Sequence, residues 1–292
     1  MMRNLREIIA DAEKRKVAVG HFNISEIAAL RAIVRAVKVL KIPVIVGVSE
    51  GERDFIGTRQ AGALIKSLRE EHNLELFLNA DHTYSLDKIK EAVAAGFDAV
   101  IFDGAKLSLE ENIKKTREVV QYVKSVNPNI LVEGEMGYIG SSSKILESIP
   151  EGAAIKPEDL TKPEEAERFI KETGVQMLAP AVGNIHGMFR NAPNPSLNIR
   201  RIKEIREAAG VPLVLHGGSG ISDDDFVAAI NAGISVIHIN TEIRLAWRKG
   251  LEAALLGGKE EIAPYKLLPS SEKAIYEVVK RRLQLFNSGI GR

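Results

Sequence analysis

The sequence predicts an α/β chain folded as a (β/α)8 TIM barrel, and three observations carry that reading. Short β-branched apolar runs alternate with amphipathic helix-forming stretches, there are eight such runs, and 292 residues suffice to hold them. The runs are 17–23, 44–49, 74–82, 99–104, 129–137, 176–187, 211–220 and 235–241. An open doubly wound sheet gives a similar alternation, but eight units in roughly 240 residues is the barrel's count and length. The whole chain, 1–292, is then one domain.

Ahead of the first run, Asn4-Leu5-Arg6-Glu7-Ile8-Ile9 mixes charges through a helical pattern and lacks the apolar core of a signal peptide, which predicts a cytoplasmic protein. Ser25-Glu26 opens a helix over 26–40. Gly96, Gly174, Gly210 and Gly233 each follow a helical pattern, where a helix-ending glycine belongs, so the connections are short. The fifth run leads into a loop over 138–161 rich in Ser, Gly and Glu. A long loop after a barrel strand lies on the active face and is a lid candidate. Ser222 caps the helix after the seventh run, with Asp223, Asp224 and Asp225 in its first turn. The tail from 264 onward adds a helix over 271–287.

Composition narrows the function. With 45% hydrophobic and 27% charged residues the chain can bury a core, and Lys+Arg 40 against Asp+Glu 39 leaves a net charge of only +1. That balance offers no field for nucleic acid or an acidic membrane, and no apolar run approaches the roughly 18 residues of a membrane span. The absence of cysteine rules out disulfides, a thiolate nucleophile and sulfur-ligated zinc, so a metal would be held by His, Asp or Glu.

Three of the six histidines end predicted strands: His82 the third, His186 the sixth and His216 the seventh. Catalytic groups of a barrel come from such strand ends, and three imidazoles converging on one mouth suit a catalytic Zn2+, which keeps a fourth position open for substrate. Asp81 immediately precedes one of these histidines and is the general acid/base candidate. Asp103 ends the fourth strand, while Glu133 and Glu135 share one side of the fifth by period two; they either hold a second cation or orient the imidazoles. Gly217-Gly218-Ser219-Gly220 follows the seventh strand, and Asn240-Thr241 leads from the eighth into a helix. Close-approaching backbone beside a helix N-terminus makes an anion site there, which predicts a phosphorylated substrate. Metal, phosphate site and lid together point to aldol or isomerase-like chemistry on a phosphorylated sugar, with no need for a Schiff-base lysine.

The motifs Leu78-Asn79-Ala80-Asp81-His82, Asp103-Gly104, Val132-Glu133-Gly134-Glu135-Met136-Gly137, Gly183-Asn184-Ile185-His186-Gly187 and Leu215-His216-Gly217-Gly218-Ser219-Gly220 resemble those of the class II, metal-dependent ketose-bisphosphate aldolases, over about 19–288. The resemblance implies reversible zinc-dependent cleavage of fructose 1,6-bisphosphate, or in some members tagatose 1,6-bisphosphate, to dihydroxyacetone phosphate and glyceraldehyde 3-phosphate, as in glycolysis and gluconeogenesis. It makes His82, His186 and His216 the zinc ligands and Asp81 the proton donor and acceptor at the C4 oxygen. Asp103 and Glu135 match positions that hold a second divalent ion in some members. Gly187, Gly217, Gly218, Ser219 and Thr241 match the cradle around the dihydroxyacetone phosphate end, with its monovalent cation (Na+ or K+). Asn23 and Ser49 match substrate contacts, and Arg282 resembles an arginine that reaches a neighbouring subunit's distal phosphate, implying a homodimer or homotetramer.

The chain also departs from that pattern. Where the family carries Gly-Gly-x-Glu-Asp on its mobile loop, this chain reads Gly140-Ser141-Ser142-Ser143-Lys144-Ile145-Leu146-Glu147, leaving Glu147 or Glu151 as substitute acids and Lys144 as a phosphate contact. His238 stands where the family has Asn beside the reacting atoms. Asn240, where fructose-type members carry Asp or Asn, favours fructose. The alternative of a non-catalytic companion rests on the altered lid and on His238, against a complete set of ligand histidines. His21 and His72 read as structural.

Overall fold

Parallel strands and helices alternate along the chain in a computed structural model that describes residues 3–140, 143–190, 192–258 and 260–288. In order, the elements are α1 (Leu5–Arg15), β1 (Val19–Asn23), α2 (Ile27–Leu40), β2 (Val44–Val48), α3 (Glu50–Ile56), α4 (Thr58–His72), β3 (Leu76–Thr83), α5 (Leu86–Ala94), β4 (Ala99–Phe102), α6 (Leu109–Val126) and β5 (Leu131–Met136). There follow β6 (Ile145–Leu146), α7 (Pro163–Thr173), β7 (Met177–Pro180), β8 (Met188–Phe189), α8 (Ile199–Ala209), β9 (Leu213–Leu215), α9 (Asp223–Ala232), β10 (Ile234–Ile239), α10 (Thr241–Gly257) and α11 (Pro264–Phe286). Eight strands close into a barrel in the order β1-β10-β9-β7-β5-β4-β3-β2, and β6 pairs with β8 outside it. The expected (β/α)8 barrel is therefore the observed one.

Period-two alternation sorts each strand into an outer and an inner row. Phe22, Val46, Leu78, Val100, Val132, Leu178, Leu215 and Ile237 join the helices in one large apolar cluster. The inner row changes character along the barrel axis. Its lowest layer is apolar, with Val19, Ile45, Phe77, Leu131, Met177, Val214 and Val236 packed on Leu5, Ile8, Ile9 and Ala12 of α1, which stoppers that end. Two residues further along, the same rows read His21, Gly47, Asn79, Glu133, His216 and His238, and two further still Asn23, Asp81, Asp103 and Glu135. A step of two along β1, β5, β9 and β10 carries the interior from hydrocarbon to titratable groups.

The helix boundaries follow their caps. Glu26 itself caps α2, its carboxylate accepting from the N–H of Ala28 and Ala29, so the helix starts one residue later than expected. Ser222 caps α9 as expected. The four helix-ending glycines all have positive φ, from 67° at Gly210 to 120° at Gly233. Helix α11 begins at Pro264, ahead of the expected 271; proline suits a first helical position, and the helix carries Pro269 inside it. The sixth expected strand, 176–187, is shorter: β7 ends at Pro180 and the chain turns through Gly183 (φ 102°) and Gly187 (φ 105°) into β8.

The loop after β5 is not a free flap over its described length. Ile145–Leu146 pairs with Met188–Phe189, Ala154 N–H donates to Tyr138 O, and Leu146, Ala153 and Ile185 bury together. Ser141 and Ser142 lie outside the described residues.

Candidate active site

Asp81 and His82 are neighbours in β3, and in regular extended chain their side chains would point to opposite faces. The structure avoids this by setting His82 at φ 37°, in the left-handed region, where the β3–β4 register also shifts between Ala80 and Thr83. A left-handed non-glycine residue costs about 1–2 kcal/mol, and that strain turns both side chains to the barrel mouth. His186 sits on the turn after β7, and His216 just past the end of β9. Among the three ring centroids, His82 lies 4.8 Å from both His186 and His216, which are 6.0 Å apart.

The hydrogen bonds fix which nitrogen of each ring is free. His82 Nδ1 donates to Asp103 at 2.9 Å, His186 Nδ1 to the Gly140 carbonyl at 2.7 Å, and His216 Nε2 to Glu133 at 2.8 Å. In each neutral ring the other nitrogen then carries a lone pair. His82 Nε2 and His216 Nδ1 lie 3.3 Å apart, close enough to share a proton whose place a cation would take. The three rings can place one nitrogen each within 4.8 Å of the others. Beside them, Glu135 Oε2 is buried without a hydrogen bond among the described residues, 3.3 Å from His82 Nδ1. This donor set fits a divalent ion of imidazole preference, with carboxylates already orienting two of the three ligands.

Burial alone would depress His82, but Asp81, Glu135 and Asp103 outweigh it and raise its pKa well above the usual histidine value. His216 is likewise raised against its burial, by Glu135 and Glu133. His186, buried without a carboxylate partner, is pushed down to about 4. Burial also raises Glu133. Asp81 is held well below the ordinary carboxylate range: burial opposes ionisation, and His82, His238 and His21 overcome it.

Three further groups of ligand-type atoms come equally close: His82 with Asp103 and Glu135, His21 with Asp81 and His238, and Glu133 with His216 and His238. Ring geometry disqualifies the last two as metal sites. His21 and His238 are stacked at 3.4 Å with 1° between planes, and His216 lies 4.1 Å and 22° from His238. Imidazole lone pairs lie in the ring plane, so those of stacked rings run side by side instead of converging.

Asp81 Oδ2 accepts from Asn23 Nδ2 at 2.8 Å, and its Oδ1 lies 3.4 Å from His238 Nδ1 without an aligned hydrogen bond. Asn23 also donates to Glu52, which accepts from Ser49 N–H and Oγ and pairs with Arg244 at 2.8 Å. These groups border a cavity of about 230 Å³ whose wall includes Asn23, Ser49, Asp81, His82, Asp103, His186, Gly187, Gly217, Ser219, His238, Asn240 and Thr241. The strand-end residues singled out from sequence are thus brought together. Glu135 and His216 lie just beneath that wall, and Gly218 behind it.

The glycine-rich turn needs its glycines. A Cβ on Gly217 (φ 61°) would sit 2.3 Å from the Ile185 carbonyl oxygen, and one on Gly218 2.7 Å from that of His238. Asn194 ties this turn to the preceding loop, donating to Gly187 O and Ser219 O, both at 2.9 Å. Thr241 begins α10, so its N-terminal end faces the same cavity.

Arg282 turns inward. It is 4% exposed, and its guanidinium is engaged by Glu242 at 2.6 and 3.0 Å and by Asp223 at 2.7 Å, above the Phe226 ring. Glu242 in turn accepts from Gly220 N–H at 3.2 Å. The arginine therefore braces the glycine-rich turn from within its own subunit. Of the substitute lid acids, Glu147 pairs with Arg190 and Glu151 is exposed, and neither borders the cavity. Lys144 contributes backbone to the β8 contact. Sequence reasoning missed Glu52, Asn194 and Arg244, each of which has a partner remote in the chain; among the described residues Arg244 is the cation that lines the mouth, half-exposed on the first turn of α10.

Comparison with known proteins gives one family. A family model described as fructose-bisphosphate aldolase class-II matches residues 3–289. A fructose-bisphosphate aldolase of Geobacillus stearothermophilus is 33% identical over 288 residues, 98% of this chain and 96% of that protein. One of Staphylococcus aureus is also 33% identical over 288 residues, 98% of this chain and 97% of its own. Among solved structures, the YdjI aldolase of Escherichia coli K12 superposes with a TM-score of 0.81 at 28% identity, covering 99% of each chain. A fructose-bisphosphate aldolase of Campylobacter jejuni, at 19% identity and a TM-score of 0.82 over 97% of this chain and 94% of that one, shares the fold.

Proposed function

The chain belongs to the class II fructose-bisphosphate aldolase family, metal-dependent aldehyde lyases of phosphorylated sugars, and from that premise we propose that it is a cytoplasmic zinc enzyme that reversibly cleaves fructose 1,6-bisphosphate to dihydroxyacetone phosphate and glyceraldehyde 3-phosphate. The convergence of three lone-pair nitrogens from His82, His186 and His216 beside Asp81 is the observation that carries the reading. Zinc held there supplies Lewis-acid polarisation of the ketose carbonyl and its neighbouring hydroxyl.

The chain's own groups do the rest. Asp81 takes the proton from the C4 hydroxyl as the C3–C4 bond breaks and returns it in the aldol direction. Asn23 holds Asp81 Oδ2, while Oδ1 lies beside His238 Nδ1 at the cavity wall. His238 gives a ring nitrogen to the reacting oxygens next to Asp81. Gly187, Gly217, Ser219 and Thr241 hold the phosphate of the dihydroxyacetone end with close backbone and the start of α10, backed by Gly218 and with a Na+ or K+ ion beside it. Ser49, Asn240 and Arg244 line the way to the distal phosphate. Asp103 and Glu135 steady His82 through Nδ1; a second divalent ion between them would displace that proton.

Tagatose 1,6-bisphosphate differs at the C4 hydroxyl that Asp81 meets, so the decisive experiment offers both sugars side by side. Dihydroxyacetone phosphate is trapped as it forms, before chelation, after it, and after zinc is restored. The expected result is faster cleavage of the fructose ester, abolished by chelator and recovered with zinc. Faster cleavage of the tagatose ester would reassign the substrate, and no cleavage of either sugar by zinc-loaded protein would overturn the activity.

A further inference from the structure

We propose that His21, buried beneath the site, is a positioning residue for the reaction: its ring fixes the plane and orientation of His238, the imidazole beside Asp81. The inference rests on the aldolase reading for its kinetic consequence but not for its structural one. His21 and His238 are direct partners across the β1–β10 pairing, so their side chains rise from the same face at the same height. Their rings lie 3.4 Å apart and 1° from parallel, and His238 is covered on its other face by His216 at 4.1 Å. An imidazole confined on both faces cannot turn about its own plane without displacing a neighbour.

The fold makes room for this stack deliberately. A Cβ on Gly47 would sit 2.1 Å from His21 Cε1, so the ring occupies the space that any other residue in the next strand would fill. On its edge, His21 Nε2 lies 3.1 Å from Asn79 Nδ2. Packing alone does not account for these residues. His21 Nδ1 and His238 Nε2 are both buried without a partner among the described residues, and an unpaired buried polar atom is costlier than the hydrocarbon that would fill the same space. With His238 Nδ1 facing Asp81 at 3.4 Å, a fixed ring plane keeps the acid/base carboxylate and the imidazole in one geometry.

The test is a double-mutant cycle on the zinc-loaded enzyme with fructose 1,6-bisphosphate. His21→Gln is expected to lower kcat about tenfold with KM within twofold and zinc content unchanged, whereas in a His238→Asn background the same substitution changes kcat less than twofold. An equal loss in both backgrounds would overturn the proposal. Gly47→Ala displaces the His21 ring without altering either histidine and is expected to reproduce the His21→Gln loss; full activity in that variant would count against the stack. Independently of turnover, 15N-histidine spectra report the His238 nitrogens, identified by their absence in His238→Asn. They are expected to show one tautomer in the parent and averaged signals in His21→Gln. Unchanged His238 signals would refute the positioning role even if the protein cleaves neither sugar, an outcome that would by itself refute only the proposed activity.

Discussion

The two ends of this barrel are built from the same eight strands and obey opposite rules. At the α1 end the inner rows are Val19, Ile45, Phe77, Leu131, Met177, Val214 and Val236, sealed by Leu5, Ile8, Ile9 and Ala12. At the other end the same rows carry His21, Asn79, Asp81, Glu133, Glu135, His216 and His238, all buried, and several of their polar atoms lack a partner among the described residues. Hydrocarbon burial contributes roughly 1.5–3 kcal/mol for each large side chain at the first end. At the second, every unpaired buried polar atom costs roughly 1–3 kcal/mol. The difference teaches where the fold draws its stability and where it spends it: the stoppered end supports a mouth that would not hold together by its own contacts.

That contrast can be broken from either side. The largest expected effect is at the mouth, where Asp81→Ala should reduce kcat by about 10²- to 10⁴-fold while metal content stays stoichiometric; steady-state kinetics with metal analysis checks both. Next is the brace under the glycine-rich turn. Arg282→Met leaves the buried Glu242 with only Arg281 at 3.4 Å and the Gly220 N–H, and should destabilise the protein by about 3 kcal/mol in denaturant unfolding; an unchanged midpoint would contradict the internal ion pair. At the stoppered end, Ile9→Ala should cost about 2–5 kcal/mol of stability yet leave kcat within twofold, which separates the two ends functionally.

The smallest effect concerns pH. Burial lowers the pKa of His21 from 6.5 to about 4, so the unfolded chain takes up this proton at a higher pH than the folded one. The stability His21 contributes is complete above pH 6.5 and lost as pH falls toward 4, by about 3 kcal/mol in all. Urea unfolding at pH 7.5 and pH 5 should therefore show a loss about 2 kcal/mol larger in the parent than in His21→Gln. Equal losses would mean that His21 is already protonated in the fold.

Much of this architecture was legible in the sequence because its signals are local. Alternating runs give strands and helices, and a barrel places chemistry at strand ends, so Asp81, His82, His186 and His216 could be singled out one by one. What escaped depends on residues far apart in the chain. The His21–His238 stack follows from strands β1 and β10 closing the barrel, and the Glu52–Arg244 pair joins α3 to α10. Arg282 lies in a helix whose pattern cannot say whether a guanidinium turns outward to a neighbour or inward to Glu242. The left-handed turn at His82 was equally hidden, since nothing in the residue type announces a positive φ.

The central claim is that one divalent ion is held by His82, His186 and His216. Anomalous diffraction at the zinc edge, from crystals of the zinc-loaded protein, tests it most directly. The account predicts one strong peak about 2.0–2.1 Å from His82 Nε2, His186 Nε2 and His216 Nδ1. A peak seated between His21 and His238, or none at the mouth, would contradict it.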